Sequence, residues 1–169
     1  TQNEFYDLHV KKYATANNKV VVIISDALRY EVALELKDKL NVQLRGSTEI
    51  KDLIGLVPSC TKIGMAALLP HETLNYDQGI VSCDGINTQG IKNREKILQN
   101  KNNKSIAISH KDLDKLTRQE KRDRFKGMNV IYIYHNKIDE VGDNANSEND
   151  VFRACKKTID DIYGLINDL

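Results

Sequence analysis

Val20-Val21-Val22-Ile23-Ile24-Ser25-Asp26 is the stretch on which the fold turns. Five β-branched residues in succession favour an extended backbone, because side chains branched at Cβ are restricted in a helix and pack well on a pleated surface. The run is continuous instead of alternating, which suits a strand covered on both faces, as in a parallel sheet. Two further runs have the same character: Ser105-Ile106-Ala107-Ile108 and Val130-Ile131-Tyr132-Ile133-Tyr134. Helical patterns lie between and after them. Val32, Leu36 and Leu40 recur every fourth residue, and Val151, Cys155, Ile159, Ile162, Ile166 and Leu169 step by three or four along a final helix over 148–169. Strands alternating with helices predict an α/β fold with a mostly parallel sheet.

Two regions interrupt that alternation. Residues 42–54 alternate loosely and read as a strand or an extended crossover. Residues 74–83 read as a hairpin turning at Asp77-Gln78-Gly79. The polar run 99–104 reads as a loop closing a helix.

The chain has 169 residues, 40% of them hydrophobic and 29% charged, which is enough for one domain with a real core. Its 25 basic and 24 acidic residues leave a net charge of +1, which gives no support to bulk electrostatic binding of nucleic acid or an acidic membrane. No apolar run approaches the roughly 20 residues needed to cross a bilayer. Cys60, Cys83 and Cys155 are odd in number and far apart. They fit reduced thiols of a cytoplasmic protein better than a disulfide framework. The chain begins at Thr1 and stops at Leu169 within a helical pattern, so we expect a piece of a larger protein.

In open α/β sheets, ligands bind beyond the carboxyl ends of the strands. Asp26 follows the first strand and is open to three roles: metal ligand, helix cap or nucleophile. A second Asp two residues on, which one class of aspartyl nucleophile requires, is replaced by Leu28, and no Gly-rich P-loop ending in Lys-Ser or Lys-Thr occurs. Within Pro58-Ser59-Cys60-Thr61-Lys62-Ile63-Gly64-Met65-Ala66-Ala67-Leu68-Leu69-Pro70-His71, Thr61 falls at the start of a short apolar helix, as a cap or as a nucleophile. The third strand runs into His135-Asn136-Lys137-Ile138-Asp139-Glu140-Val141-Gly142-Asp143. His135, Asp139 and Asp143 are four residues apart, a spacing that on a helix or tight loop turns them toward one point and suits a divalent cation, or equally a solvated polar loop. Together these groups suggest metal-assisted hydrolysis of a phosphate ester.

The strings from Val21 to Glu31, Pro58 to His71, Asp84 to Leu98 and Ile133 to Asp143 closely resemble the PglZ domain of bacterial phage-defence systems of the bacteriophage-exclusion type, a domain similar to the alkaline phosphatase superfamily. The resemblance runs through nearly the whole chain. It implies a three-layer α/β/α fold with two divalent metals and a Thr nucleophile. Asp26 and Thr61 then share one metal, Asp139 and Asp143 serve the second with His135 beside them, and Asn93 and Arg94 are candidate phosphate contacts. Asp143 stands where the superfamily places His, and this oxygen-rich set shifts the expectation from zinc toward manganese or magnesium. No Asp-His-Gly segment occurs, although the superfamily completes its metal sites with one. We therefore expect residues 1–169 to form the N-terminal part of one such domain, incomplete on its C-terminal side, with weak or absent metal binding and negligible activity by itself. The expected whole protein is a phosphatase or phosphodiesterase acting on a phosphate ester, nucleic acid being one candidate, with other defence components as partners. The alternative is a catalytically silent scaffold within the defence complex.

Overall fold

The computed structural model describes residues 1–44, 46–144 and 148–169. A short 3-10 turn at Gln2–Glu4 and a π-helical segment at Tyr6–Lys11 precede the regular elements. These are, in chain order, β1 (Val20–Ser25), α1 (Tyr30–Gln43), α2 (Thr61–Ala67), β2 (Leu74–Asp77), β3 (Ile80–Cys83), β4 (Ile86–Asn87), α3 (Ile91–Lys101), β5 (Ser105–Ser109), α4 (His110–Asp114), α5 (Arg118–Phe125), β6 (Val130–His135), α6 (Lys137–Asn144) and α7 (Glu148–Asp168). All three apolar runs form strands, and they make a three-stranded parallel sheet in the order β1-β6-β5. In β6, the middle strand, all six residues are buried. In β1 only Val22 and Ile24 are, since a strand at the end of the order has one neighbour instead of two.

The predicted hairpin is present. β2 and β3 pair antiparallel with Leu74 opposite Cys83 and Asp77 opposite Ile80, and β4 adds a short third strand. The two residues between them, Gln78 and Gly79, have φ of +46° and +83°. Two left-handed residues make the mirror-image turn whose twist matches that of the flanking strands, and glycine adopts it at no steric cost.

Contacts group the chain into two units, residues 1–22 with 53–133 and residues 23–52 with 134–169. In the first, α3 packs on β5 and α2 on β3. Its core includes Leu69, Leu98, Leu113 and Ile131, each fully buried, and the hydroxyl of Tyr132 donates to the carbonyl of Leu68 at 2.8 Å. The first residues are tied down as well: Gln2 donates from its backbone to the carbonyl of Ile54 (2.9 Å) and from Nε2 to that of Gly64 (3.2 Å). Thr117 and Glu120 cap α5 reciprocally, satisfying N–H groups that a helix start otherwise leaves open. In the second unit α1 and α6 pack against α7. Val32, Ile138, Cys155 and Ile159 form its buried cluster, with Leu28, Leu36 and Val151 packed around them.

Two expectations change. Among the described residues of 44–60 there is no strand, and Val42, Leu53 and Ile54 are exposed, so the loose alternation there marks no sheet face. Along α7 the predicted stripe is buried at Cys155, Ile159 and Ile162 and partly buried at Val151, but Leu165 replaces Ile166, which is 37% exposed. All three cysteines are free thiols, as expected. Among the described residues no helix is long and apolar enough to cross a membrane.

Candidate active site

Asp26 is the first residue after β1, and its N–H donates to the carbonyl of His135 at 3.0 Å, joining the carboxyl ends of β1 and β6. Its Oδ1 accepts from the N–H of Ala27 at 3.0 Å. Ala27 has φ of +58°, a left-handed conformation that costs an L-residue about 1–2 kcal/mol. Such strain persists only where the surroundings dictate it. The next helix starts later: Arg29 occupies the cap position of α1, and no side chain caps it. Asp26 is therefore not the helix cap, and of the three roles open to it from sequence the bland one falls away.

His135 ends β6 and its side chain is 1% exposed. Nδ1 lies 3.4 Å from Oγ of Ser25, and Nε2 lies 3.5 Å from Oδ2 of Asp161, whose other oxygen accepts from Nζ of Lys157 at 2.8 Å. Neither Ser25 nor Asp161 stands out in the sequence. Ser25 reads as the end of an apolar run, and Asp161 comes from 26 residues further along, on α7. Because His135 is on the strand and α6 begins at Lys137, helical spacing relates only Asp139 to Asp143. They stand one turn apart on α6, Asp139 half-buried and Asp143 exposed. The four-residue step from His135 to Asp139 has no helical meaning.

Thr61 is the first residue of α2, exposed, with Cys60 rather than Thr61 at the cap position and no side-chain cap. Here too the capping role is absent. On α3, the Nδ2 of Asn93 donates to the carbonyl of Gln89 (3.0 Å) and the Nε of Arg94 donates to that of Thr88 (2.9 Å). Thr61, Asn93 and Arg94 belong to the first unit, whereas Asp26, His135, Asp139 and Asp143 belong to the second. The buried Cys83 is no nucleophile: burial, aided by the charge of Asp84, pushes its thiol up to about 12, so it stays protonated at neutral pH.

The family known as the BREX system PglZ alkaline phosphatase-like domain matches residues 5–169. The chain belongs to the PglZ family. It is 48% identical over 151 residues to the alkaline phosphatase-like protein BrxZ of Escherichia coli O9:H4 (strain HS), covering 88% of this chain and 17% of that protein. It is 42% identical over 170 residues to the alkaline phosphatase-like protein PglZ of Bacillus cereus (strain H3081.97), covering 100% of this chain and 20% of that one. The chain thus spans about a fifth of the length of these relatives. No solved structure matches it. A PglZ domain that is alkaline-phosphatase-like suggests divalent metals, and the donors fit such ions in chemistry: three carboxylates and an imidazole, the carboxylates being hard oxygen ligands.

Proposed function

We propose that this PglZ chain is part of a metal-dependent phosphohydrolase, a phosphatase or phosphodiesterase of a phage-defence system, in which Thr61 is the nucleophile. The observation that carries the reading is the state of the two groups at its centre. Asp26 and Thr61 both sit where a helix cap is expected, and neither caps a helix. In an α/β fold, ligands bind beyond the carboxyl ends of the strands, so a carboxylate placed there that caps no helix is a candidate for chemistry.

In this mechanism Oγ of Thr61 forms a bond to phosphorus as the bond to the leaving alkoxide breaks, and the hydroxyl proton leaves to solvent. Water then cleaves the phosphothreonine, releasing phosphate or a phosphomonoester and restoring the hydroxyl. Asp26 and Thr61 would hold one divalent ion, and Asp139, Asp143 and His135 another. Bound there, manganese, magnesium or zinc supplies positive charge to the phosphoryl oxygens. Asn93 and Arg94 orient the phosphate. The three-layer arrangement belongs to this reading, as does the weak metal affinity of residues 1–169 alone: carboxylates lacking further ligands repel one another and hold a cation loosely.

The test is hydrolysis of an aryl phosphodiester by the longer protein with manganese or zinc. Thr61→Ala should lower kcat by at least about 10³-fold, the scale on which loss of a nucleophile acts. Full activity in that variant overturns the assignment. No turnover at all, with no divalent-metal binding at micromolar concentration, would favour the silent scaffold.

A further inference from the structure

Behind the imidazole of His135 stands a carboxylate that the proposed function does not use. His135 closes β6 with its side chain 1% exposed, and its two ring nitrogens face different elements of the second unit. Nδ1 lies 3.4 Å from Oγ of Ser25 on β1, and Nε2 lies 3.5 Å from Oδ2 of Asp161 on α7. Asp161 is itself held in place. Its side chain is 12% exposed, its other oxygen accepts from Nζ of Lys157 one turn earlier at 2.8 Å, and Ile159, Ile162 and Leu165 around it on α7 are buried. The strand side is fixed as well, since the carbonyl of His135 accepts from the N–H of Asp26 at 3.0 Å.

We propose that Asp161 is a positioning residue that fixes His135 in one tautomer, with the proton on Nε2 and the lone pair on Nδ1. A neutral imidazole has one donor and one acceptor nitrogen, whereas a carboxylate only accepts. Nε2, beside Asp161, therefore carries the hydrogen; the opposite tautomer sets a lone pair against a carboxylate oxygen. Nδ1 is then an acceptor, and the hydroxyl of Ser25, which can donate or accept, donates to it. Burial strengthens both preferences, because little water is present to screen them. The use of this tautomer rests on the function proposed above, in which His135 serves a divalent ion. A ligating histidine commonly gives its other N–H to a carboxylate, which orients the ring and raises its basicity. In this chain that leaves Nδ1 as the ligating atom, on the side of Ser25 and the carboxyl end of β1, where Asp26 follows directly.

The experiment reads the ring nitrogen shifts of His135 by heteronuclear NMR in the metal-free chain at mildly alkaline pH. A protonated Nε2 and an unprotonated Nδ1 are expected. Asp161→Ala should abolish that preference, whereas Asp161→Asn, whose amide oxygen still accepts, should keep it. Ser25→Ala should keep it too, since it removes only a donor. In the longer protein, Asp161→Ala should weaken manganese binding about 10–100-fold by calorimetry, the scale on which carboxylates behind a ligating histidine act. A proton on Nδ1 or on both nitrogens, a tautomer unchanged in folded Asp161→Ala protein, or an unchanged manganese affinity would overturn the role of Asp161. The two proposals fail separately. The tautomer is read without metal or turnover, so a wrong tautomer overturns this inference and leaves Thr61 as the nucleophile, whereas loss of the phosphohydrolase reading shows as a parent protein that neither binds a divalent ion nor turns over.

Discussion

Ala27 shows what single residues contribute to this molecule. It is not glycine, yet it takes a left-handed conformation directly after Asp26. The segment 25–29 must end β1, place a carboxylate at the strand end and defer the next helix to Tyr30. One left-handed residue makes that bend. Ala27→Gly should therefore stabilise the fold by about 1 kcal/mol, since relief of the left-handed strain exceeds the extra entropy glycine has when unfolded. Chemical denaturation checks this; a destabilised variant would show that the methyl group is packed to advantage. None of it is visible in Ser25-Asp26-Ala27-Leu28-Arg29, where Asp before a helical pattern looks like a cap. The position of a cap depends on where the helix starts, and the helix starts three residues later than the pattern suggests.

At the scale of elements the hairpin is the most legible part, because its turn is chosen by local sterics. Its outer end has a second lock: Asp84 accepts hydrogen bonds from the N–H of Thr73 (2.8 Å), the N–H of Glu72 (3.0 Å) and Oγ1 of Thr73 at 3.1 Å. These bonds, led by that from the backbone of Thr73, hold the carboxyl below its ordinary range. A carboxylate with a depressed folded-state pKa contributes stability that is complete above the unfolded value, about 3.9, and is lost as pH falls through the lower folded value. Asp84→Asn should accordingly destabilise the protein at pH 7 by at most about 1 kcal/mol, since the group is exposed. The difference from the parent should vanish in acid. Urea titrations from pH 7 to pH 2 measure it, and a pH-independent difference would contradict the assignment. Helix α7 was legible in its period but not in its last turn. Ile166 continues the stripe in sequence, while Leu165 is the side chain that is buried.

At the scale of the whole molecule, stability is concentrated where apolar runs meet complete burial. In β6 every residue is buried, so Ile131→Ala should cost about 2–5 kcal/mol. Val42, 84% exposed on α1, should cost no more than about 0.5 kcal/mol as Val42→Ala. Denaturant midpoints for the pair check the contrast, and equal losses would contradict the burial pattern. The three parallel strands were readable because continuous β-branched runs have few other uses. The stretch 42–54 was readable only as two alternatives, strand or extended crossover; it begins in the last turn of α1, and its described residues beyond form no strand, since exposed apolar residues can alternate without a sheet to face.

The amino-acid sequence by itself determined the α/β class, the strands, the hairpin turn and the PglZ membership, all of which follow from short-range preferences and from long shared strings. It also marked Asp26, Thr61, Asp139, Asp143, His135, Asn93 and Arg94 as residues to watch. Tertiary structure alone decided which of them had structural tasks. It removed the capping role from Asp26 and Thr61, and placed His135 on a strand between Ser25 and Asp161. The physical reason is range. Helix period and turn sterics act over a few residues, whereas Ser25 and His135 are 110 positions apart and meet only when β1 and β6 are paired.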